Sequence, residues 1–300
     1  MRFDYLERTH CACGERLQSA APSVRRVWSW GPVNFTGCLA CGSWCQAPQI
    51  DPAALARWYD SDEYRGSALR QGAAYSNYLA DEPSRLNEAR HRFARDLSAW
   101  LPRGSRVLEV GCATGSLLHV LAGAGCQVEG MDLSGRFVEF ARRTYGLDVT
   151  LGDAAAIDRP DGGFDAILLF GTFSNLSNLD LTLARFRRWL RPGGAMVINV
   201  PIADSVVARL HGRRYWMFAP TVVTFFTRRG CRLVLERAGF TALTTRCDWQ
   251  RPSLRKLVTH VGARRLVPWL ERAGVAAAIL SMPVPGVELI RASCRTAASS

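Results

Sequence analysis

Lysine is nearly absent: of the 38 basic residues in this 300-residue chain, Lys256 alone is lysine and the rest are arginine. The net charge of +12 is therefore carried by guanidinium groups, and these are scattered. Arg213-Arg214, Arg228-Arg229 and Arg264-Arg265 are pairs, not tracts, so the chain lacks the basic block of a nucleic-acid-binding arm. Also missing is any run of roughly 20 apolar residues able to cross a bilayer as a helix. The most apolar stretch, 273–284, is broken by Gly274 and Pro283. The opening Met1-Arg-Phe-Asp-Tyr-Leu-Glu-Arg8 carries acids and no apolar core of a secretory leader, so a cytoplasmic protein is expected. Internal repeats and low-complexity segments are absent too. At 48% hydrophobic and 21% charged, the composition is that of a globular protein with room for one α/β domain and a small appended module.

Cysteine, by contrast, is plentiful. Ten cysteines in a chain expected to be cytoplasmic point to metal binding or burial, not to a disulfide framework. Cys11, Cys13, Cys38, Cys41 and Cys45 crowd the first 45 residues, whereas Cys112, Cys126, Cys231, Cys247 and Cys294 are dispersed. Cys11-Ala-Cys13-Gly14 and Cys38-Leu-Ala-Cys41-Gly42 read as knuckle turns whose glycines let backbone amides face the sulfurs. Two such thiolate pairs supply the soft tetrahedral ligands of one structural zinc ion per chain. The first pair has a single intervening residue, so His10 is an alternative to Cys11, and Cys45 is left over. Between the pairs, residues 24–35 read as short strands about a Gly31-Pro32 turn. Residues 1–50 thus form a small module, and residues 51–100 a helical cap or linker. The latter opens on Asp51-Pro52, an N-cap with proline at the first helical position, and is dense in tyrosine at 59, 64, 75 and 78.

From Ser105 onward strands and helices alternate, the pattern of a parallel sheet. Strands are predicted at Arg106–Val110, Gln127–Asp132, Val149–Leu151, 166–170, 195–200, 242–247 and 287–294. Helices are predicted at 117–124, Gly135–Tyr145, 181–190 and 228–238, with a helical insertion near 254–281.

The chemistry is concentrated in Val107-Leu-Glu109-Val-Gly111-Cys-Ala-Thr-Gly115, a buried strand running into a glycine turn and then a helix. Without side chains at Gly111 and Gly115 a ligand can lie against the backbone, near the amides of a helix start. Ala113 and the Gly-x-x-x-Gly spacing depart from the dinucleotide fingerprint. Asp132 ends the second strand, 21 residues beyond Gly111, where a carboxylate can accept bonds from both hydroxyls of a ribose. Asp153, in Leu151-Gly152-Asp153-Ala154, follows the third strand, where it could meet an adenine amino group. Phe164-Asp165-Ala-Ile-Leu-Leu-Phe170 is the fourth strand and Leu190-Arg-Pro192-Gly193-Gly194 the turn before the fifth.

In this order, over residues 105–240, these segments resemble the class I S-adenosylmethionine-dependent methyltransferases. The resemblance implies a Rossmann-like, seven-stranded αβα sandwich of strand order 3-2-1-4-5-7-6, its last two strands an antiparallel hairpin, behind the zinc-binding module. It implies that Glu109, Gly111, Gly115, Asp132 and Asp153 contact S-adenosylmethionine, with Leu133, Ala154 and Phe170 beside them and Cys112 fitting beneath. Trp58-Tyr-Asp-Ser-Asp-Glu-Tyr64 and Tyr75-Ser-Asn-Tyr78-Leu-Ala-Asp81-Glu82 extend it to a bacterial subgroup with an N-terminal zinc-ribbon-like module. Such enzymes methylate small molecules in polysaccharide or secondary-metabolite pathways, and their tyrosine-rich helices would cover the cofactor and shape the acceptor pocket.

Two motifs depart from that family. Its members usually carry Glu-His after the fourth strand, where this chain has Ser174-Asn175. They also place a histidine before a Phe-Phe pair, where Pro220-Thr-Val222-Val-Thr-Phe225-Phe226 has Val222. Either the acceptor needs no strong base, or another residue among His211, Tyr215 and Tyr64 serves, or the cofactor is bound without turnover. Trp216 and Phe218 are candidates to line an apolar pocket. Cys112 has no adjacent positive charge in the sequence to activate it as a nucleophile. The expectation is methylation of a small-molecule acceptor at oxygen or nitrogen more than at carbon, since the extra C-terminal domain of zinc-bearing sugar C-methyltransferases is lacking. The alternatives are an RNA methyltransferase, disfavoured by the dispersed arginines and the missing Asn-Pro-Pro-Tyr motif, and a non-catalytic cofactor-binding scaffold.

Overall fold

The computed structural model describes residues 2–61, 64, 79, 82–215, 217–250, 258, 264–275 and 282–294. Tyr75, Tyr78, Trp216 and most of the expected insertion at 254–281 lie outside the described residues; within that insertion Val267–Arg272 is helical.

The N-terminal strands are β1 (Tyr5–Leu6), β2 (Ser23–Trp28), β3 (Gly31–Gly37), β4 (Trp44–Gln46) and β5 (Gln49–Ile50), followed by α1 (Pro52–Tyr59) and α2 (Glu82–Arg92). The Asp51 carboxylate caps α1 by accepting from the Ala53 and Ala54 amides, with Pro52 in the first turn. The alternating region yields β6 (Arg106–Val110), α3 (Ser116–Gly123), β7 (Gln127–Asp132), α4 (Gly135–Tyr145), β8 (Val149–Leu151) and β9 (Phe164–Phe170). Beyond these come α5 (Leu179–Trp189), β10 (Leu190–Pro201), α6 (Val206–His211), β11 (Thr224–Phe225), α7 (Arg228–Arg237), β12 (Phe240–Gln250) and β13 (Met282–Cys294).

Seven strands form one sheet in the order β12-β13-β10-β9-β6-β7-β8, parallel except for β13, which runs antiparallel to both neighbours. Successive residues of β9 serve opposite layers, as the two-residue strand period requires. Ile167 and Leu169 pack with Leu183, Phe186 and Trp189 of α5 and Val234 and Leu235 of α7. Ala166 and Leu168 pack with Leu97, Leu117 and Leu121 on the other face. Burying each of the larger side chains contributes about 2 kcal/mol. The Pro192-Gly193-Gly194 turn is an irregularity within β10: Leu190 pairs with Phe164, and the ladder resumes at Ala195 with Ala166.

A four-stranded sheet, β11-β4-β3-β2, carries the N-terminal region. Its hairpin turns at Ser29-Trp30, not at the expected Gly31-Pro32, which already pair with Trp28 and Val27. The reason is tertiary. Trp30 is buried against Phe3 at 5.7 Å, its carbonyl accepts the Phe3 amide, and the Tyr5 hydroxyl donates to the Pro32 carbonyl. The edge strand β11 comes from the C-terminal half of the chain, pairing Thr224 with Cys45 and Phe225 with Trp44. One hydrophobic cluster accordingly joins Val24, Val33 and Phe35 to Tyr215, Phe218, Val222 and Phe225.

Candidate active site

The parallel strands β6, β7, β8 and β9 all end at one edge, and the expected cofactor residues gather there. β6 delivers Glu109 and the turn after it. Gly111 sits at φ +74°, and a Cβ there would fall 2.1 Å from the Thr172 hydroxyl. Gly115 is at φ +79°, and its Cβ would press on Leu147 and Ala141, so the turn packs too closely for any larger residue. The Asp132 carboxylate locks this turn to the next one, accepting from the Ala113 amide at 2.7 Å and the Ser134 amide at 2.9 Å. Asp153 accepts the Ala155 amide at 2.8 Å, while Leu133 is half-buried and Ala154 buried.

Glu109 is buried, and its Oε2 has no hydrogen-bond partner among the described residues. Burial pushes its carboxyl up to about 8, the Asp132 charge adding to the effect while Arg85 and Arg92 oppose it. A buried carboxylate oxygen without a donor is unfavourable by itself and suits a ligand that brings one. Burial, with the charges of Asp132 and Glu109, also holds the Cys112 thiol well above its ordinary range. Its sulfur lies 2.9 Å from where a Cβ on Gly130 would stand, so Cys112 is packing beneath the turn and not a nucleophile.

Several site residues were not among the expected contacts, although Asp60 and Glu82 lie within the tyrosine-rich motifs. On α2 the Arg85 Nε donates to the buried Thr114 hydroxyl at 3.1 Å, and Glu82 Oε1 accepts from Ser116 and Tyr145, both at 2.7 Å. Asp60, at the end of α1, accepts from the Ser134 hydroxyl at 2.6 Å, and Ser134 in turn caps α4. Arg92 stacks over the Phe170 ring at 4.4 Å and bonds both oxygens of the fully buried Asp248 at 2.9 and 3.2 Å. Asn199 of β10 donates to Asp248 at 3.1 Å and accepts the Gly171 amide at 2.6 Å, which fixes the exit of β9. The available signal was positional: Glu82, Arg85 and Arg92, three and seven residues apart, share one face of a helix.

Residues 78–245 match a family described as Methyltransferase domain, more than half of the chain. The chain belongs to this family. Among its relatives, a demethylmenaquinone methyltransferase of Tropheryma whipplei is 34% identical over 119 residues, covering 38% of this chain and 48% of the relative. The O-methyltransferase cnsE of Penicillium expansum is 28% identical over 207 residues, covering 63% and 72%. A SAM-dependent methyltransferase structure from Archaeoglobus fulgidus superposes with a TM-score of 0.51 at 18% identity, covering 72% of this chain and 98% of that one, which places the fold with class I. The chain spans about half the length of the first curated relatives it matches.

The fit to the methyltransferase cofactor is sound: a close-packed glycine turn, the unpartnered Glu109 oxygen and the Asp132 carboxylate stand along one edge. Phe170 shares that edge, with Arg92 on one face of its ring. The candidate bases are dispersed. Tyr64 packs on Trp58 and Tyr59 at 5.0 and 4.9 Å. Tyr215 is buried and stacked on Phe225 at 5.5 Å, in the same cluster as Phe218. His211 is exposed in the last turn of α6, where its Nδ1 lies 2.9 Å from the Val207 carbonyl oxygen. In the family's histidine position, Val222 is buried, and Ser174 is buried with an unpartnered hydroxyl.

At the N-terminus the sulfurs of Cys11, Cys13, Cys38 and Cys41 lie within 4.8 Å of one another, a set able to hold a metal ion. The knuckles close through Gly14 N–H to the Cys11 carbonyl and Gly42 N–H to the Cys38 carbonyl. Hydrogen bonding from Cys11 and Ser43 pulls Cys41 down to about 4, and the same contact pushes Cys11 up. His10 is exposed, beside the Thr9 hydroxyl, and Cys45 is buried against the cluster without belonging to the four. The cluster is clamped to the methyltransferase fold: Thr227, which caps α7, donates to the Cys41 carbonyl, and its amide donates to Ser43 Oγ at 3.1 Å.

Proposed function

We propose that the protein is an S-adenosylmethionine-dependent methyltransferase acting on an oxygen or nitrogen of a small-molecule acceptor in polysaccharide or secondary-metabolite biosynthesis. Residues 1–50 form a zinc-ribbon-like module in which Cys11, Cys13, Cys38 and Cys41 hold one structural zinc ion, residues 51–100 a helical cap, and residues 101–300 the methyltransferase domain. The observation that carries the reading is the buried, unpartnered Glu109 oxygen beside Asp132 at the end of β7.

When bound, the cofactor supplies an electrophilic methyl group on a sulfonium, and its transfer needs alignment more than acid–base help. In this reading Glu109 and Asp132 bind the polar ends of the cofactor, Asp153, Leu133 and Ala154 border its base, and the turn from Gly111 to Gly115 lies beside it. The Arg92–Asp248–Asn199–Gly171 chain holds the β9 exit loop that borders the acceptor. With Val222 and Ser174 where the family places stronger groups, the acceptor is an amine or an already ionised oxygen, or Tyr215, Tyr64 or His211 takes its proton. Relatives named as O-methyltransferases, one of ubiquinone biosynthesis, support this acceptor class over RNA.

Calorimetric titration with S-adenosylhomocysteine tests the reading. Asp132→Ala is expected to weaken binding at least about tenfold through loss of charge-assisted hydrogen bonds. Wild-type affinity in that variant would remove Asp132 from the site, and binding without turnover on any phenol, amine or sugar acceptor would favour a non-catalytic scaffold.

A further inference from the structure

At the opposite edge of the sheet, where β6, β9 and β10 begin, a cavity of about 300 Å³ opens between the loop preceding β6 and the irregular turn of β10. Three guanidinium groups line it, those of Arg103, Arg191 and Arg291, together with Trp100, Gly193 and the carboxylate of Asp165. That carboxylate is already committed, accepting the Arg106 amide at 2.7 Å and pairing with Arg191. Arg291, on β13, lies over the Trp100 ring at 4.3 Å, and its Nε is buried without a hydrogen-bond partner among the described residues. Arg103 lies across Gly125, where a Cβ would fall 3.0 Å from its guanidinium carbon. Neither Arg103 nor Arg291 has an ion-pair partner among the described residues. Three arginines against one aspartate leave a surplus of two positive charges in a concave, partly desolvated setting.

We infer that this cavity is an anion site for a phosphate-bearing small molecule, bound by Arg291 and Arg103 at the edge of the sheet opposite the methyl-transfer edge. The buried Arg291 N–H asks for an acceptor that the described residues do not provide. A planar guanidinium fork meets phosphate oxygens in pairs, and a dianion or pyrophosphate matches both the charge surplus and the number of donors better than a single carboxylate does. The inference does not rest on the proposed methyl transfer, because no residue of the cofactor edge lines the cavity.

The test is calorimetric titration of the full-length chain with inorganic pyrophosphate at low salt. Saturable binding is expected in the wild type, at least about tenfold weaker in Arg291→Gln, with affinity for S-adenosylhomocysteine unchanged in both as the measure of an intact fold. Arg103→Gln, at an exposed position, is expected to weaken pyrophosphate binding several-fold and keeps the test decisive should Arg291→Gln fold poorly. Absence of saturable binding in the wild type, or equal affinity in wild type and Arg103→Gln, overturns the inference.

Discussion

The cysteine cluster and the carboxyl edge of the large sheet bury reactive groups in opposite ways. In the cluster, four sulfurs come from two short turns. A divalent cation is the economical answer, and everything it needs is written in a few consecutive residues. At the carboxyl edge, acids arrive from β6, β7 and β12, and arginines of α2 answer some of them. Asp248 is fully buried, yet it is satisfied by Arg92 and Asn199. Glu109 is almost as buried, has one oxygen without a donor, and lies under the weaker influence of Arg85 and Arg92. The lesson is that burial alone does not mark a ligand site. What marks it is burial that the protein's own groups leave incomplete.

Four experiments sharpen that contrast, from the largest expected effect to the smallest. Replacing Cys38 and Cys41 together by serine is expected to abolish zinc binding and remove metal-coupled stability on the order of 10 kcal/mol, read by elemental analysis and thermal melting. Freshly purified wild-type protein without zinc would break the comparison at once. Asp248→Ala removes two of the bonds that hold Arg92, leaving it the buried Asp96 carboxylate at 3.3 Å, and is expected to cost about 2–3 kcal/mol in urea unfolding, whether or not the cofactor is present. A neutral effect would mean that the network does not hold the edge.

Glu109 should instead reveal itself through pH. Its folded-state carboxyl is raised from 4.5 to about 8, so between those values the folded state alone retains the proton. Stability of the cofactor-free protein is therefore greatest at and below the lower value and falls as pH rises through the upper one, by a few kcal/mol. Asp132, also raised by burial, acts in the same direction. Urea midpoints across this window should flatten in Glu109→Gln, and an unchanged slope would show that Glu109 is not the titrating group. The smallest effect belongs to the junction of the two regions. Thr227→Ala deletes the α7 cap and its bond to the Cys41 carbonyl and is expected to cost about 1 kcal/mol with zinc retained, seen as a modest shift of the melting midpoint.

Much of this was legible in the chain itself. The alternation after Ser105 located β6, β7, β8 and α4 at their observed bounds, because a parallel sheet buried on both faces leaves continuous apolar runs between turn signals. Glu109, Gly111, Gly115 and Asp132 stood out because each sits at a strand end of a short, ordered motif. The hairpin at Ser29-Trp30 was misread because Gly31-Pro32 is the stronger local turn signal, and the burial of Trp30 under Phe3 overrides it. The Arg92–Asp248 pair was invisible because 156 residues separate its members. Position alone could not show that Val222 and Tyr215 would be drawn into the hydrophobic cluster shared with the N-terminal strands.

The amino-acid sequence by itself determined the strand-and-helix alternation, the glycine turn with its acids, and the paired cysteines, since each depends on neighbours a few residues away. Only the tertiary structure decided which buried charges are satisfied, that β11 would complete the N-terminal sheet, and that Arg103, Arg191 and Arg291, distant in the chain, would line one cavity. Those outcomes depend on which surfaces meet in space, and pairing across long loops leaves no periodic mark in the chain.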